Sequence, residues 1–266
     1  MEKIGLIAGN GQLPILFANA LKERDISIIA VGFKGETLFS LKEHVEKMAW
    51  INIGQLQLLI ETFKNEGIAN VVMVGGITKA LLFSDEKPDY RGASFLSSLK
   101  NKKDDIFLRS FAEELENDGI NIESATKYIP SILAQKGCLT KRLPTEDEYR
   151  DIRFGWDIAK DIGKLDIGQT VIVKDQAVLA VEAIEGTDEA IKRAGKYGNG
   201  QIIVVKVSKP FQDMRFDIPV VGMGTVRSLK ESRASALAIE AGRTIILDKD
   251  EMIKYADKAG ISIVAI

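Results

Sequence analysis

The stretch IGLIAGNGQLP, residues 4–14, decides the fold class of the N-terminal half. A short apolar run ends there in a glycine-rich turn, and a helical pattern follows. Two further apolar runs, at 26–31 and 71–74, flank a segment (55–64) whose apolar residues recur at helical spacing. Strands that alternate with helices in this way indicate βαβ units and a parallel sheet. We therefore expect an α/β fold with a Rossmann-like N-terminal domain.

The apolar periodicity stops between residues 137 and 153, where the chain turns polar. A change of this kind is typical of a domain boundary. We divide the chain into an N-terminal α/β domain, 1–136, and a C-terminal mixed α/β domain, 137–266. The second domain is expected to carry most of the candidate catalytic carboxylates.

The second half mixes the signals of hairpins and helices. Apolar runs on both sides of 174–176 predict one hairpin, and a second hairpin is predicted over 237–247. Thr187 is a suitable N-cap residue for the helix that follows it. Asp248 and Glu251 have the spacing of a capping box. Together these elements predict an α+β or mixed α/β domain.

The composition argues against several classes of protein. The 266 residues carry a net charge of −2, so no basic excess favours binding to nucleic acid. A single cysteine, Cys138, forms no internal disulfide and no thiolate zinc site, and a single histidine, His44, argues against a serine–histidine–acid triad. The opening residues lack a signal peptide, and no apolar run approaches the roughly 18 residues of a membrane-spanning helix. We therefore expect a cytoplasmic protein.

Two glycine turns follow predicted strands, and both suit a phosphate. Glycine lets backbone N–H groups approach an anion, and the start of a helix adds the positive end of its dipole. Ligands bind open parallel sheets beyond the carboxyl ends of the strands, so both turns are expected on that edge. The candidate substrate-binding residues there are Gly9, Asn10, Gly11, Gln12, Gly75, Gly76 and Lys79.

Other interpretations of these turns stay open. A tight βα turn with Pro14 in the first helical turn needs no ligand. An NAD site is disfavoured because the dinucleotide fingerprint asks for a third glycine where Pro14 stands. It also asks for an acidic residue after the second strand, which instead runs into Gly32, Phe33 and Lys34. Lys79 is explained equally well as a solvated lysine.

The stretch KPFQDMRFDIP, residues 209–219, follows an apolar run and carries two carboxylates around one arginine. If it is extended, Asp213, Arg215 and Asp217 lie on one side of the chain. Hard divalent cations such as Mg²⁺ take carboxylate oxygens and bridge to substrate phosphates. A metal site and an arginine–carboxylate salt-bridge set both stay open for these residues.

A second acidic cluster surrounds the predicted strand-to-helix turn at 186–187, where Glu182, Glu185 and Asp188 lie close together in sequence. These carboxylates suit a divalent cation, and helix-capping acids are the alternative. The candidate metal ligands are Asp213, Asp217, Glu182 and Glu185, with Mg²⁺ or Mn²⁺ as the cation, and Thr187 and Gln212 are further candidate substrate contacts.

Four stretches together resemble the LpxI-type UDP-2,3-diacylglucosamine pyrophosphatases of lipid A biosynthesis. They are IGLIAGNGQLP (4–14), QAVLAVEAIEGTD (176–188), KPFQDMRFDIP (209–219) and EAGRT (240–244), in the order of the family. The likeness extends over essentially the whole chain, and the second and third stretches are the specific ones. A lysine-rich segment replaces a glycine-containing approach before Asp104 and Asp105, so no role is assigned to these two aspartates.

The resemblance implies a cytoplasmic hydrolase at the inner membrane face of a Gram-negative bacterium. Such an enzyme cleaves the pyrophosphate of UDP-2,3-diacylglucosamine, an amphiphilic UDP-sugar lipid, to UMP and 2,3-diacylglucosamine 1-phosphate with Mg²⁺. The resemblance further implies two domains with the ligand between them, and homodimer formation is left open. The alternative is a non-catalytic nucleotide-binding regulatory protein, whose carboxylates only pair with Arg215.

By its position in the third stretch, Asp217 matches the essential aspartate of the family. We expect Asp217 to bind Mg²⁺ or to orient the water that attacks phosphorus. Asp213 and either Glu182 or Glu185 are expected to assist it. Arg215 is expected either to pair with a phosphate or to hold the two aspartates.

Overall fold

The chain folds into two units, each built on its own sheet. The computed structural model describes residues 2–77, 88–99, 104–216 and 218–266. The N-terminal unit holds the described residues up to Pro130 together with 213–216, and the C-terminal unit holds the described remainder from Ser131 onward. The chain therefore enters the N-terminal unit twice.

The N-terminal unit is built on a parallel sheet, which confirms the predicted Rossmann-like fold. Its strands are β1 (Lys3–Ala8), β2 (Ser27–Phe33), β3 (Lys47–Ile51), β4 (Asn70–Val74) and β5 (Asn121–Glu123). In the described part of the chain their order is β3-β2-β1-β4-β5, and each neighbouring pair is parallel. The order reverses between β1 and β4, and open α/β sheets bind ligands at such a switch point.

Helices connect these strands and bury their apolar faces on the sheet. They are α1 (Leu13–Lys22), α2 (Leu56–Asn65), α3 (Tyr90–Ser98), α4 (Asp104–Glu116) and α5 (Ala125–Tyr128). In α2, Leu56, Leu59, Ile60 and Phe63 are buried, which is the predicted helical spacing. Gly119, with a φ of 78°, follows α4 in the left-handed conformation that is typical of a helix end.

The C-terminal unit is built on a mixed sheet, as predicted. Its strands are β6 (Gly137–Cys138), β7 (Thr170–Lys174), β8 (Ala177–Val181), β9 (Ile202–Lys206), β10 (Val220–Val221), β11 (Ala234–Ile239), β12 (Ile245–Ile246) and β13 (Ser262–Ala265). In the described part of the chain, one sheet has the order β6-β13-β11-β9-β7-β8, and β10 pairs with β12 separately. β9, β11 and β13 are parallel, whereas β7 is antiparallel to both β9 and β8.

Helices cover both faces of this mixed sheet. They are α6 (Glu146–Lys164), α7 (Thr187–Gly198), α8 (Met223–Glu231) and α9 (Lys249–Ala259). Successive strand residues point to opposite faces, so Val171 and Val205 pack with α6 while Ile172 and Val204 pack with α7, α8 and α9. Within the described ranges, no helix is both long and apolar enough to cross a bilayer.

The first predicted hairpin is confirmed, and the second is wrong. β7 and β8 pair around a tight turn, and the carboxylate of Asp151 accepts hydrogen bonds from the N–H groups of Asp175 (2.8 Å) and Gln176 (2.7 Å). β11 instead pairs in parallel with β9 and β13, and β12 pairs with β10. A continuous apolar run is typical of a buried parallel strand, whose partners lie far away in sequence. The turn over 241–243 therefore joins two different sheets.

The helix starts of the C-terminal unit differ from the predicted ones. Thr187 is the first residue of α7, and Gly186 occupies the N-cap position. The side chain of Asp248 makes no capping hydrogen bond to α9. The capping box lies at the start of α6, where Thr145 Oγ1 accepts from Glu148 N (3.2 Å) and the Glu148 carboxylate accepts from Thr145 N (2.8 Å). A threonine three residues before a glutamate was the available signal.

Candidate functional site

The two glycine turns of the N-terminal unit lie together at the carboxyl edge of β1 and β4, as predicted. Gly9 N donates to Val74 O (2.8 Å), and Asn10 N donates to Gly76 O (2.7 Å). A Cβ atom placed on Gly9 would lie 2.2 Å from the Gly76 carbonyl oxygen. Gly75 has a φ of 95°, in the region that favours glycine. These glycines are required by the close approach of two backbones, whether or not a ligand is bound.

The first turn also opens α1 at the same edge. Gln12 is the N-cap residue of α1, but its side chain makes no capping hydrogen bond, and Pro14 lies in the first turn. α1 is described throughout, and its first turn holds no acidic side chain. The partial positive charge of the helix N-terminus is therefore available to an anion at this edge. Lys79, predicted for the same edge, lies outside the described residues.

An acidic residue that the sequence analysis missed adjoins the first glycine turn. Glu36 follows β2 by three residues, and its Oε2 accepts a hydrogen bond from Asn10 Nδ2 (2.7 Å). The buried Thr37 fixes this segment, because its hydroxyl donates to Ala8 O at the end of β1 (2.5 Å) and accepts from Phe33 N (2.9 Å). An acidic residue therefore does follow β2, beyond the Gly32, Phe33 and Lys34 that the sequence analysis considered.

The segment 213–216 belongs to the N-terminal unit, although the sequence analysis assigned it to the C-terminal domain. Its backbone is a turn in which Phe216 N donates to Asp213 O (3.2 Å), so the expected alternation of an extended chain is wrong. Phe216 is buried in the apolar core of the N-terminal unit. Ser124 Oγ donates to Met214 O (2.6 Å), which anchors the turn to the end of β5. A buried aromatic side chain therefore determines to which unit this segment belongs.

Arg215 in this segment joins two carboxylates. Its Nε and Nη2 donate to Asp213 (3.1 and 2.8 Å), and its Nη1 donates to Glu116 Oε1 at the end of α4 (2.7 Å). The hydrogen bond from Arg215 lowers the pKa of Asp213, which is therefore ionised at neutral pH. This geometry is that of the arginine–carboxylate salt-bridge set, one of the two interpretations left open above. Asp217, which the sequence analysis placed at the centre of the reaction, lies outside the described residues.

Three polar residues form a row across the sheet of the C-terminal unit. Thr170 on β7 lies directly opposite Lys206 on β9, and Glu182, just after β8, donates its N–H to Thr170 O (2.9 Å). By the alternation of strand residues, all three point to the face that α7 covers. Thr170, Lys206 and Glu182 are 0%, 6% and 8% exposed, in a face that is otherwise apolar. Such burial is unusual for charged residues and requires polar partners.

Thr187 links the two charged residues of this row. Lys206 Nζ donates to Thr187 Oγ1 (2.9 Å), and the Thr187 hydroxyl donates to Glu182 Oε1 (2.6 Å). Lys206 Nζ also donates to Val220 O (3.0 Å). Burial raises the pKa of the adjacent Asp188, and the charge of Lys206 opposes that rise. The result is a chain of hydrogen bonds, which we call the Lys206–Thr187–Glu182 chain, at the N-terminus of α7.

Two other predicted residues are held by local contacts. Glu185 forms an ion pair with Arg193, and its second oxygen accepts from Ala183 N (3.2 Å). A hydrogen bond from its own backbone N–H, followed by that from Arg193, lowers the pKa of Glu185. Gln212 is buried and closes a turn with Lys209, whose N–H donates to Gln212 Oε1 (3.0 Å). The predicted metal ligand Glu185 and the predicted substrate contact Gln212 therefore both stabilise loops of the C-terminal unit.

The described candidate metal ligands already have partners within the protein. The carboxylates of Asp213 and Glu185 each pair with an arginine. The two carboxylate oxygens of Glu182 accept hydrogen bonds from Thr187 and from the backbone N–H of Gln169. A hard cation needs such oxygens as its own ligands. In the part of the chain that the structure describes, no three Asp, Glu, His or Cys side chains are grouped to hold a metal ion.

These features define a two-unit α/β protein, with a Rossmann-like ligand edge in one unit and a buried lysine–threonine–glutamate chain in the other. The model of the LpxI N-terminal domain matches residues 3–132, and that of the LpxI C-terminal domain matches residues 135–264. The two matches cover nearly the whole chain. The chain belongs to the LpxI family.

Similarity to a curated relative extends over the full length. The chain is 31% identical over 277 positions to UDP-2,3-diacylglucosamine pyrophosphatase LpxI of Caulobacter vibrioides, covering 100% of this chain and 98% of that protein. It is 30% identical over 131 residues to the bifunctional purine biosynthesis protein PurH of a Thermoanaerobacter species, covering 47% of this chain and 22% of that protein. Among solved structures, the biotin carboxylase subunit of pyruvate carboxylase matches with a TM-score of 0.27 and 14% identity, over 68% of this chain and 36% of that chain. That TM-score is too low to bear on the fold.

Proposed function

We propose that this protein hydrolyses the pyrophosphate bond of UDP-2,3-diacylglucosamine and releases UMP and 2,3-diacylglucosamine 1-phosphate. The proposal rests on the full-length similarity to the Caulobacter vibrioides LpxI, which is named for this activity. Each half of the chain also matches its own LpxI domain model, so the similarity is not confined to a common nucleotide-binding fold.

The N-terminal unit is proposed to hold the nucleotide. The edge at β1 and β4 is the switch point of its parallel sheet, where α/β proteins of this class bind ligands. The N-terminus of α1 opens at this edge and favours the negative charge of a phosphate. The close approach of Gly9 to Gly76 leaves the start of α1, after Gly11, as the proposed phosphate contact.

In the C-terminal unit, the buried Lys206 is proposed to favour a negatively charged group. The Lys206–Thr187–Glu182 chain keeps an ammonium group beneath the N-terminus of α7. A positive charge and a helix N-terminus both favour an anion, and their effect is larger in a water-poor site. Lys206 is therefore proposed to act through electrostatic stabilisation and through the position of Thr187.

The chemical step is attack of water on one phosphorus atom. A bond forms from the water oxygen to phosphorus, and the bond to the bridging oxygen breaks with its electron pair leaving on that oxygen. We propose that Asp217 orients the water and accepts its proton, on the resemblance of its sequence stretch to the family. Dependence on Mg²⁺ or Mn²⁺ stays a prediction.

We further propose that the protein acts at the inner membrane of a Gram-negative bacterium, because its proposed substrate is a diacylated lipid. Exposed apolar side chains lie on loops of the C-terminal unit, with Ile184 91% exposed and Phe211 76% exposed. Each follows the carboxyl end of a strand of the polar row, Ile184 after β8 and Phe211 after β9. Large apolar side chains on loop tips suit insertion into a lipid interface.

A vesicle assay tests this membrane contact. Sedimentation with phosphatidylglycerol-containing vesicles should recover the wild-type protein, and the double variant Ile184→Ser/Phe211→Ser should remain in the supernatant. Tyr197→Ser removes an equally exposed aromatic side chain from the end of α7 and serves as the matched control. Equal recovery of the double variant and the control would contradict the assignment of these loops.

Detection of UMP tests the proposed activity. Purified protein should release UMP from UDP-2,3-diacylglucosamine in the presence of Mg²⁺, and a chelator should stop the release if the predicted metal dependence is correct. Asp217→Ala is expected to reduce turnover by at least about 100-fold while the fold is retained. Asp161→Ala changes an exposed aspartate of α6 and should keep full activity.

The outcomes separate the enzyme from the regulatory alternative. Binding of the UDP-lipid without release of UMP would favour a nucleotide-binding regulator. Normal turnover in Asp217→Ala would remove the assignment of the water-orienting carboxylate and leave the hydrolase proposal in place.

A further inference from the structure

We propose that a cleft at the C-terminal ends of α7 and α8 binds a small phosphorylated sugar, with Arg233 and Lys196 as the phosphate contacts. The cleft lies in the C-terminal unit and has a volume of about 440 Å³. Ligand pockets commonly have volumes of about 300–1,000 Å³, so a small metabolite fits. α7 has 12 residues, a length of about 18 Å, and the Lys206–Thr187–Glu182 chain lies at its other end. The cleft is therefore separate from the groups proposed for hydrolysis.

Two cationic side chains line the cleft without an ion pair. In the part of the chain that the structure describes, neither the ammonium group of Lys196 nor the guanidinium group of Arg233 has a partner. The helix dipoles place partial negative charge at these helix ends. Lys174 offsets this charge at α7, because its Nζ donates to Gly198 O (2.8 Å) and Gly200 O (3.1 Å). The two unpaired cations then favour an anion, and an arginine fork suits a phosphate.

A buried serine adds a hydroxyl group to the cleft. Ser232 is 7% exposed, and among the described residues its hydroxyl has no hydrogen-bond partner. A Cβ atom placed on Gly195 would lie 2.9 Å from Ser232 Oγ, so this side chain packs directly on the backbone of α7. Both residues line the cleft. A buried polar group without a partner is costly, and a bound ligand would supply the partner.

The backbone at Arg233 supports a binding role for its side chain. Arg233 follows α8 with a φ of 53°, in the left-handed region where glycine is the favoured residue. Its backbone accepts from Gln201 N (2.7 Å) and donates to Lys230 O (3.0 Å). The described contacts of Arg233 within the fold therefore need only its backbone, and a glycine would make them with less strain.

The other polar groups of the cleft indicate the class of ligand. Glu231 and Asn199 also line it, and all of its described lining residues are polar or glycine. A carboxylate only accepts hydrogen bonds, so Glu231 suits hydroxyl groups rather than phosphate oxygens. The side chains of Asn199 and Ser232 both donate and accept. A phosphate ester that carries several hydroxyl groups matches this set, whereas an acyl chain or an aromatic ring meets no apolar wall.

Calorimetric titration with glucose 6-phosphate, inorganic phosphate and glucose tests the site. The wild-type protein should bind glucose 6-phosphate with a Kd of at most about 1 mM. It should bind inorganic phosphate at least about threefold more weakly and glucose not measurably. Arg233→Gly should weaken the binding of glucose 6-phosphate by at least about 10-fold, the effect of one hydrogen bond to a charged group. Lys196→Gln and Ser232→Ala should each weaken it by about threefold or more.

Arg233→Gly also separates binding from stability. Because glycine relieves the left-handed backbone, this variant should melt at the wild-type temperature or up to about 2 °C above it while it binds more weakly. Asp25→Gly is the matched control, since Asp25 is an exposed residue of the N-terminal unit with a φ of 56°. It should melt no lower than the wild type and keep the wild-type affinity.

Amide chemical shifts locate the bound ligand. Glucose 6-phosphate should shift the amide signals of Gly200 and Arg233 and leave those of the glycine turn at 9–11 unchanged. The inference is overturned by any of four results: no binding by the wild type, wild-type affinity in Arg233→Gly, equal affinities for inorganic phosphate and glucose 6-phosphate, or shifts confined to the glycine turn. The UMP-release assay reports separately on the proposed hydrolase.

Discussion

The ligand edge of the N-terminal unit is built from backbone, whereas the polar row of the C-terminal unit is built from side chains. At the first, Gly9 and Gly76 allow two chains to meet with no side chain between them. At the second, Lys206, Thr170 and Glu182 carry polar atoms into an apolar face of a sheet. The first arrangement has no space for an added atom at Gly9, and the Lys206–Thr187–Glu182 chain of the second cannot lose a member without leaving a buried polar group unsatisfied.

The difference predicts which changes each region resists. An added methyl group should disrupt the backbone-built edge, whereas a removed charge should disrupt the side-chain-built row. Each variant below changes one of the two units, and each has a matched control.

Removal of the buried ammonium group should have the largest effect. Lys206→Met keeps the length of the side chain but leaves Glu182 and Thr187 without their cation, and we expect it to lower the free energy of unfolding by about 3–5 kcal/mol. Urea denaturation followed by circular dichroism measures this change. Lys196→Met, at an exposed position of α7, should change the free energy by less than about 0.5 kcal/mol. A loss below about 1 kcal/mol for Lys206→Met would show that the ammonium group is well hydrated.

An added methyl group at the backbone-built edge should have the next largest effect. Gly9→Ala places its Cβ 2.2 Å from the Gly76 carbonyl oxygen, and separation of the two turns should cost about 3 kcal/mol. Gly11→Ala is the control, because its Cβ meets no atom within 4 Å and only its φ of 81° is unfavourable, for about 1 kcal/mol. The same denaturation experiment compares the two variants. Equal losses would mean that backbone conformation alone explains both glycines.

The fold of the N-terminal unit could be predicted because its signals are local. The turn at Gly9 follows directly from an apolar run, and α2 shows its buried face in its own spacing. β11 could not be assigned in this way, since a central parallel strand is apolar on both faces and its partners β9 and β13 are separated from it by helices. The second hairpin was predicted because only neighbouring residues were available to pair with β11, whereas its actual partners are distant in sequence.

The candidate sites also divide into those with local sequence signals and those that depend on long-range contacts. The glycine turns were predicted from sequence, because carboxyl ends of parallel strands share an edge. Lys206 was missed because its partners, Thr170 and Thr187, are brought to it only by strand pairing and by the packing of α7. Glu36 was missed because the turn after β2 returns it to the edge only after three residues, as its hydrogen bond to Asn10 shows.

A smaller effect, an increase in the free energy of unfolding, is expected from removal of one hydroxyl group of the row. Within the described residues, Thr170 Oγ1 is buried without a hydrogen-bond partner. Thr170→Val should therefore raise the free energy of unfolding by about 1 kcal/mol, since an unsatisfied hydroxyl is costly to bury. Thr140→Val is the control, because Thr140 Oγ1 accepts from Ile263 N (2.9 Å) and donates to Arg142 O (3.1 Å), and its loss should destabilise the fold by a similar amount. Destabilisation by Thr170→Val would show that this hydroxyl has a partner such as water.

The smallest effect is expected at the segment 213–216, the side-chain-built part of the N-terminal unit. Arg215 lowers the pKa of Asp213 in the folded protein, so the pair stabilises the fold fully above the ordinary pKa of an aspartate, about 3.9, and loses this contribution as the pH falls through the lowered pKa. Asp213→Asn should cost less than about 1 kcal/mol at pH 7, because Arg215 is partly exposed and solvent screens the pair. Measured by urea denaturation, the difference from wild type should stay constant between pH 5 and pH 7 and shrink below about pH 4.

Asp147→Asn, at an exposed ion pair of α6, should show almost no difference at any pH. A loss in Asp213→Asn that persists unchanged at pH 2.5 would mean that the carboxylate acts through its hydrogen bonds to the turn backbone, and the segment would then resemble the backbone-built edge.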